Sequence, residues 1–340
     1  MSIFKLIITL FICICCIVFN SKAQQNYDSL YIKKYYNKST WALYQNYNNH
    51  SIFISQSFHK VSTLNTSLQA IAESKIDIGL SYSNEKNYFA FNLLSLLNKQ
   101  PKRKPIPKAI NFVIGITNRN KLFEFGANWF TGYYENNSKN FIPNFSDTTA
   151  FYSYKNLNTL NLFLNKITFT NKNKFSYSSV YKGTEQQKKS ATSFVHYFSA
   201  NFNRFKSDSA IVPIYFRDSY DKYGNLTKLS NLYISGGLGL SGTLAIRKVF
   251  FTNLTLLTGP GIQYQNCSFL SDGDTEYKIN FLMHSDIRYS VGLNFKRFYL
   301  VSNTTIALKV YSISKLNITS GHLMNNLSIA YRFYRKGRIY

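Results

Sequence analysis

The last third of the chain alternates apolar and polar residues with a period of two, the spacing at which side chains of an extended strand point to opposite faces. In 327–333, Leu327, Ile329, Tyr331 and Phe333 share one face, and Ser328, Ala330 and Arg332 share the other. Residues 229–247 place Leu232, Ile234, Leu238, Leu240, Leu244 and Ile246 opposite a face that carries Asn231, Tyr233, Ser235, Gly237, Gly239, Ser241, Thr243 and Arg247. Residues 279–295 repeat the pattern, with Ile279, Phe281, Met283, Ile287, Tyr289, Val291, Leu293 and Phe295 opposite Asn280, His284, Asp286, Arg288, Ser290 and Asn294. Strands of soluble sandwiches run about five or six residues. These runs are longer, near the span of a tilted membrane strand or beyond it. The pattern predicts an all-β fold, an antiparallel transmembrane β-barrel that closes on its C-terminal strand, with Leu327, Ile329, Tyr331 and Phe333 as the closing signal.

Upstream, 40–58 reads as one long strand or two short ones. Hairpins follow over 67–82 and 88–97, 109–117 and 122–134, and 156–170 and 175–182, with a further strand over 191–205. Their polar turns hold Asn and Lys, residues suited to tight reversals. Residues 99–108 contain three prolines, which cannot donate to a ladder, and read as a loop, as do 135–153. Short turns at 118–121, 171–174, 247–248 and 296–297 belong to the periplasmic side and the long loops to the outside. This arrangement requires 206–228 to cross the membrane once, and 209–216 is the candidate despite Pro213. About fourteen strands result if it crosses, and twelve if the earlier segments are over-split.

The N-terminus is a targeting segment. Lys5 precedes an apolar run over 6–19, too short to span a bilayer, and Ser21-Lys22-Ala23 fits a signal-peptidase site. The chain therefore divides into a signal peptide (1–23), a periplasmic lead-in (24–39), the barrel (40–333) and a basic tail (334–340). Export runs through the general secretory pathway to the outer membrane. Cleavage leaves Cys267 alone, and one cysteine makes neither an internal disulfide nor a metal site. A closed hydrogen-bonded barrel supplies the missing stability.

Aromatic residues make up 17% of the sequence, which suits a wall with rings at its interfaces. The formal charge of +25 has two readings, a surface for anions or the Lys- and Asn-rich bias of AT-rich coding. The second accounts for the total and leaves only local clusters as informative. The densest cluster, Lys102, Arg103, Lys104 and Lys108, is a candidate contact for lipopolysaccharide phosphates, with a plain solvated loop as the alternative.

Glu124, His284, Asp286, Arg288, Lys309 and Arg332 fall on inward faces and form a candidate polar network of the lumen. His284 and Asp286 also admit a hydrolase reading, which requires a hydroxyl beside His284 on a lipid-facing surface. Gly237-Leu-Gly-Leu-Ser-Gly242 matches a dinucleotide fingerprint in letters but lies inside an alternating strand with no helix after it. The five histidines lack zinc spacing. No cofactor, no metal and no nucleic-acid partner is expected. The expected partners are outer-membrane lipid, lipopolysaccharide and the barrel-assembly machinery, with the chain a monomer.

Segments 28–36 (Asp-Ser-Leu-Tyr-Ile-Lys-Lys-Tyr-Tyr), 174–177 (Lys-Phe-Ser-Tyr), 187–194 (Gln-Lys-Lys-Ser-Ala-Thr-Ser-Phe) and 330–333 (Ala-Tyr-Arg-Phe) resemble an uncharacterised family of Bacteroidetes outer-membrane β-barrels. That family is known as domain of unknown function family 4421. The resemblance runs over nearly the whole mature chain and implies an exported barrel. It implies no catalytic residue, ligand or substrate. Three functions stay open: a barrel filled by its own side chains and acting through its loops, a narrow anion-preferring pore, and a membrane hydrolase.

Overall fold

A computed structural model describes residues 27–56, 67–94, 103–118, 120–140, 142–270, 275–313 and 316–334. The segment read as a signal peptide and Lys102 lie outside these residues, as does the tail beyond Tyr334. In chain order the elements are β1 (Ile32–Lys34), β2 (Lys38–Gln56), β3 (Leu68–Ser83), β4 (Asn87–Leu94), β5 (Lys108–Asn118), β6 (Lys121–Glu135) and β7 (Ser153–Phe169). A short helix α1 (Ser178–Tyr181) and β8 (Glu185–Gln187) precede β9 (Ala191–Lys206), β10 (Leu226–Ile246) and β11 (Phe250–Phe269). The chain ends with β12 (Thr275–Asn294), β13 (Phe298–Ile313) and β14 (Leu316–Tyr334).

Twelve of these strands form a closed antiparallel barrel, β2 through β7 and β9 through β14. Closure pairs β14 with β2, so that Phe333 lies opposite Ser39 and Leu316 opposite Gln56. This removes both sheet edges and satisfies the backbone within the wall, as lipid requires. β4 and β5 are short, and above them β3 reaches β6 directly through Ala70 and Glu135. β1 and β8 form a separate two-stranded sheet.

The alternation read from the sequence becomes the two faces of this wall. Phe281 is 80% exposed and Ile279 72%, whereas Tyr233, on the opposite face, is 1% exposed. The outward face is polar in one sector of β2, where Gln45, Tyr47 and Asn49 follow one another and Tyr47 donates to Glu73 of β3 at 2.9 Å.

Two expected crossings are absent from the wall. Residues 175–182 are not a strand. Their serines bond locally, Ser179 Oγ to the Ser176 carbonyl at 2.7 Å and the Ser179 N–H to Ser176 Oγ at 3.1 Å, which favours a turn over a ladder. Phe175, Tyr177 and Val180 are all buried, whereas a wall strand would expose alternate residues. The segment folds into the mouth that carries the short turns and the lead-in, the end that the sequence pattern assigns to the periplasm. Residues 209–216 likewise stay out of the wall. Pro213 lacks a ladder donor, and the chain continues as a 3-10 stretch over Ile214–Asn225, with Ile211 and Val212 buried in the opposite mouth. Among the described residues the barrel therefore has twelve strands, and the expected strand from 40 onward is one long strand, β2, as far as Gln56, with 57–58 outside the described residues.

Candidate functional site: a polar lumen

Toward the end of the barrel that carries the short turns, Arg288 of β12 reaches across the lumen to Glu124 of β6. Its two terminal nitrogens donate to the two carboxylate oxygens at 3.0 and 3.3 Å, a bidentate fork, and its Nε donates to Asp286 at 3.0 Å. All three groups are buried. A planar guanidinium with several donors suits such a double engagement, where a lysine would not. One cation shared by two acids ties two distant strands together and leaves no excess positive charge at that level.

Above it lies a cavity of about 100 Å³, lined among others by His50, His284, His322, Lys309, Asn161 and Asn203. Lys309 donates to Asn161 Oδ1 at 3.2 Å. His50 bonds Tyr133 through Nδ1 at 2.7 Å and Ser320 through Nε2 at 3.1 Å. Closure of β14 on β2 sets His322 opposite His50 in register. No spacing in the sequence signals this juxtaposition, although both residues obey the inward alternation.

His284 Nδ1 lies 3.1 Å from Ser235 Oγ, two strands away. The strand between them, β11, presents Gly259 and Gly261 at those positions, so the ring passes over a gap in side chains. The hydroxyl that a hydrolase requires is therefore present beside His284, but it faces the lumen and not lipid. Asp286 is engaged with Arg288, and the serine occupies the imidazole nitrogen Nδ1. A nucleophile–base–acid relay needs the acid on the second ring nitrogen, and the hydrogen bonds among the described residues place none there.

Arg332 does not join this central group. It sits lower, where Nε donates to the Gly183 carbonyl at 2.6 Å and Nη2 to Asn294 Oδ1 at 2.6 Å, with Nη1 on the Phe295 carbonyl. Its guanidinium lies 4.2 Å from the centre of the Tyr35 ring. Tyr299 donates to the Val180 carbonyl, and Lys182 donates to Thr117 and to the Glu85 carbonyl. Burial lowers the Lys182 ammonium to about 7, against the opposing pull of Glu185 and Glu85. Arginine, tyrosine and lysine thus fasten the 170–190 segment at the mouth that carries the short turns.

At the opposite mouth the contacts are apolar. Ile211, Val212, Tyr220 and Tyr223 of the loop before β10 pack with Phe130, Tyr133, Phe205, Tyr233 and Tyr311 from the wall. Of the basic loop, Arg103 stacks between Phe145 and Phe151 at 5.0 and 5.1 Å and donates to the Ser146 and Thr149 carbonyls. Lys104 donates to the Tyr134 hydroxyl at 2.9 Å, and Lys108 is exposed at the start of β5. Arg103 and Lys104 hold their own loop together.

A sequence model described as a domain of unknown function, DUF4421, matches residues 26–333. The chain belongs to the DUF4421 family. No curated protein matches it. Among solved structures, the outer-membrane protease OmpT of Escherichia coli is 7% identical at a TM-score of 0.40, covering 92% of this chain and 100% of that one. The toluene transporter TodX of Pseudomonas putida is 8% identical at 0.28, covering 87% and 90%. Ail of Yersinia pestis is 9% identical at 0.20, covering 87% and 99%. For this DUF4421 member, then, the function has to come from the chain's own geometry.

Proposed function

We propose that this protein is a plugged outer-membrane barrel that passes no solute through its lumen and works through what its two ends hold and contact. The observation that carries the reading is the double closure: 170–190 fastened across one mouth and 207–225 packed into the other, with the Arg288 fork bridging the wall between them. An open anion pore requires uncompensated cations along a continuous path. Here Arg288 is matched by Glu124 and Asp286, and Arg332 is engaged by the carbonyls of Gly183 in the plug and Phe295 in the β12–β13 turn. A hydrolase acting on lipid requires His284 at a lipid-facing surface, and it lies inside.

The test is planar-bilayer conductance of the refolded mature protein, with folding checked by heat-modifiable gel migration. The expected result is a silent bilayer for the wild type, with steps appearing when 207–225 is replaced by a short Gly-Ser turn and Arg332 is changed to Ala. Discrete anion-selective steps from the unaltered protein would overturn the reading.

A further inference from the structure

We propose that the periplasmic end of the barrel is a docking platform for a carboxylate-bearing polymer, the glycan–peptide mesh of the cell wall. The proposal rests on the plugged-barrel reading only in taking this end as the one that faces the periplasm.

Three of the segments that carry the family likeness, 28–36, 174–177 and 187–194, meet at the β1–β8 sheet below the plug. The sheet is rigidly built. Ile32 is 1% exposed, and Gln186 donates to the carbonyls of Lys248 and Asn294, both at 2.7 Å. The Gln187 side chain accepts from the Ser176 N–H at 2.9 Å and donates to the carbonyls of Lys174 and Lys189 at 2.7 and 2.9 Å. One glutamine thereby fixes two lysines about Tyr31, with their ammoniums 5.2 and 5.5 Å from its ring centre. Lys188 donates to the Ser29 carbonyl at 2.7 Å beside them.

Charge at this end is not balanced. The turns carry exposed Lys121, Arg247, Lys248, Lys296 and Arg297, and the acids among the described residues here are Asp28, Glu85 and Glu185. Asp28 accepts from the Leu30 N–H, and Glu185 pairs with Lys34 at 3.8 Å. Lys174, Lys188 and Lys189 have no ion pair among the described residues. At the external end, by contrast, Glu276 holds Lys222 and Lys278 at 2.7 and 2.6 Å, and Arg103 lies 3.9 Å from Asp147. Coding bias explains a high total charge but not this asymmetry.

Ordered like charges at close range repel, and an anion relieves them. Lysines are point charges without a bidentate fork, so they suit spaced carboxylates of a polymer better than one chelated ligand. Tyr36, exposed on the same lead-in, adds a flat amphipathic face to this end. The rim turns can reach lipid headgroups, but the β1–β8 platform lies beneath the mouth and off the wall, which favours the polymer over phospholipid.

The test is co-sedimentation of the full mature protein, refolded in zwitterionic detergent, with purified cell-wall sacculi across a salt series. The wild type is expected to pellet at low salt and to be released as screening increases. The triple variant Lys174→Gln, Lys188→Gln, Lys189→Gln should bind at least about tenfold less, while Lys108→Gln, Lys206→Gln, Lys228→Gln at the external end should bind as the wild type does. Heat-modifiable migration confirms that both variants fold. A wild type left in the supernatant, or equal losses in both triples, would overturn the proposal. So would platform-dependent binding to phosphatidylglycerol vesicles without binding to sacculi. Conductance on the same preparation reads the plug separately, so the two readings fail independently.

Discussion

Arg288→Met removes one cation from a site holding two buried carboxylates. Glu124 is 2% exposed and loses a bidentate partner, and Asp286 loses the donor at 3.0 Å. Breaking a buried pair by removing one partner costs about 3–5 kcal/mol, because the remaining charge is left without compensation. With a urea slope of about 3 kcal/mol per molar, the unfolding midpoint should fall by about 1–1.7 M. The triple variant Glu124→Gln, Asp286→Asn, Arg288→Met removes all three charges and keeps similar volumes. It should regain most of the loss, since replacing a buried ion network by neutral groups is often near neutral. Urea titration of tryptophan fluorescence in vesicles, with gel migration as a second probe, reads both variants. A single variant that loses under about 1 kcal/mol, or a triple variant no better than the single, would refute the argument that charge compensation holds this layer.

Other expectations follow from the plug and the wall. Lys182 falls to about 7 in the folded state from an ordinary 10.5, so the undocked segment binds the proton more readily. The penalty is complete below about pH 7 and fades as pH rises toward 10.5, on the order of a few kcal/mol at most. Protease cleavage within 170–190 should therefore slow as pH is raised from 7 to 10, and Lys182→Met should abolish that slope; a variant with the same slope removes Lys182 as the cause. Gly183 has φ +64°, and a Cβ there would lie 2.9 Å from the Tyr299 ring. Gly183→Ala should cost about 1–2 kcal/mol from the left-handed backbone alone and speed cleavage of the plug at any pH. On the wall, Phe281→Arg should destabilise the barrel by about 2–4 kcal/mol if the residue sits near the bilayer midplane. Leu30→Arg, also exposed but below the wall, should leave urea stability unchanged, and equal effects would argue against a lipid-facing Phe281.

The fold class and the faces of the long strands lay open in the sequence, because the period of two is local and is kept most clearly in β10, β12 and the end of β14. Leu232, Ile234, Phe281 and Ile329 point outward as their positions predict, and Arg288, Asp286 and Glu124 point inward. The strand number did not lie open. Residues 175–182 alternate much as a strand does, and only their burial against Tyr299, Arg332 and Phe169 makes them a plug. The same holds for partners across the lumen. Glu124 and Arg288 are 164 residues apart, and His50 and His322 face each other only because β14 closes on β2. Alternation says which way a side chain points; closure of the barrel decides what it meets.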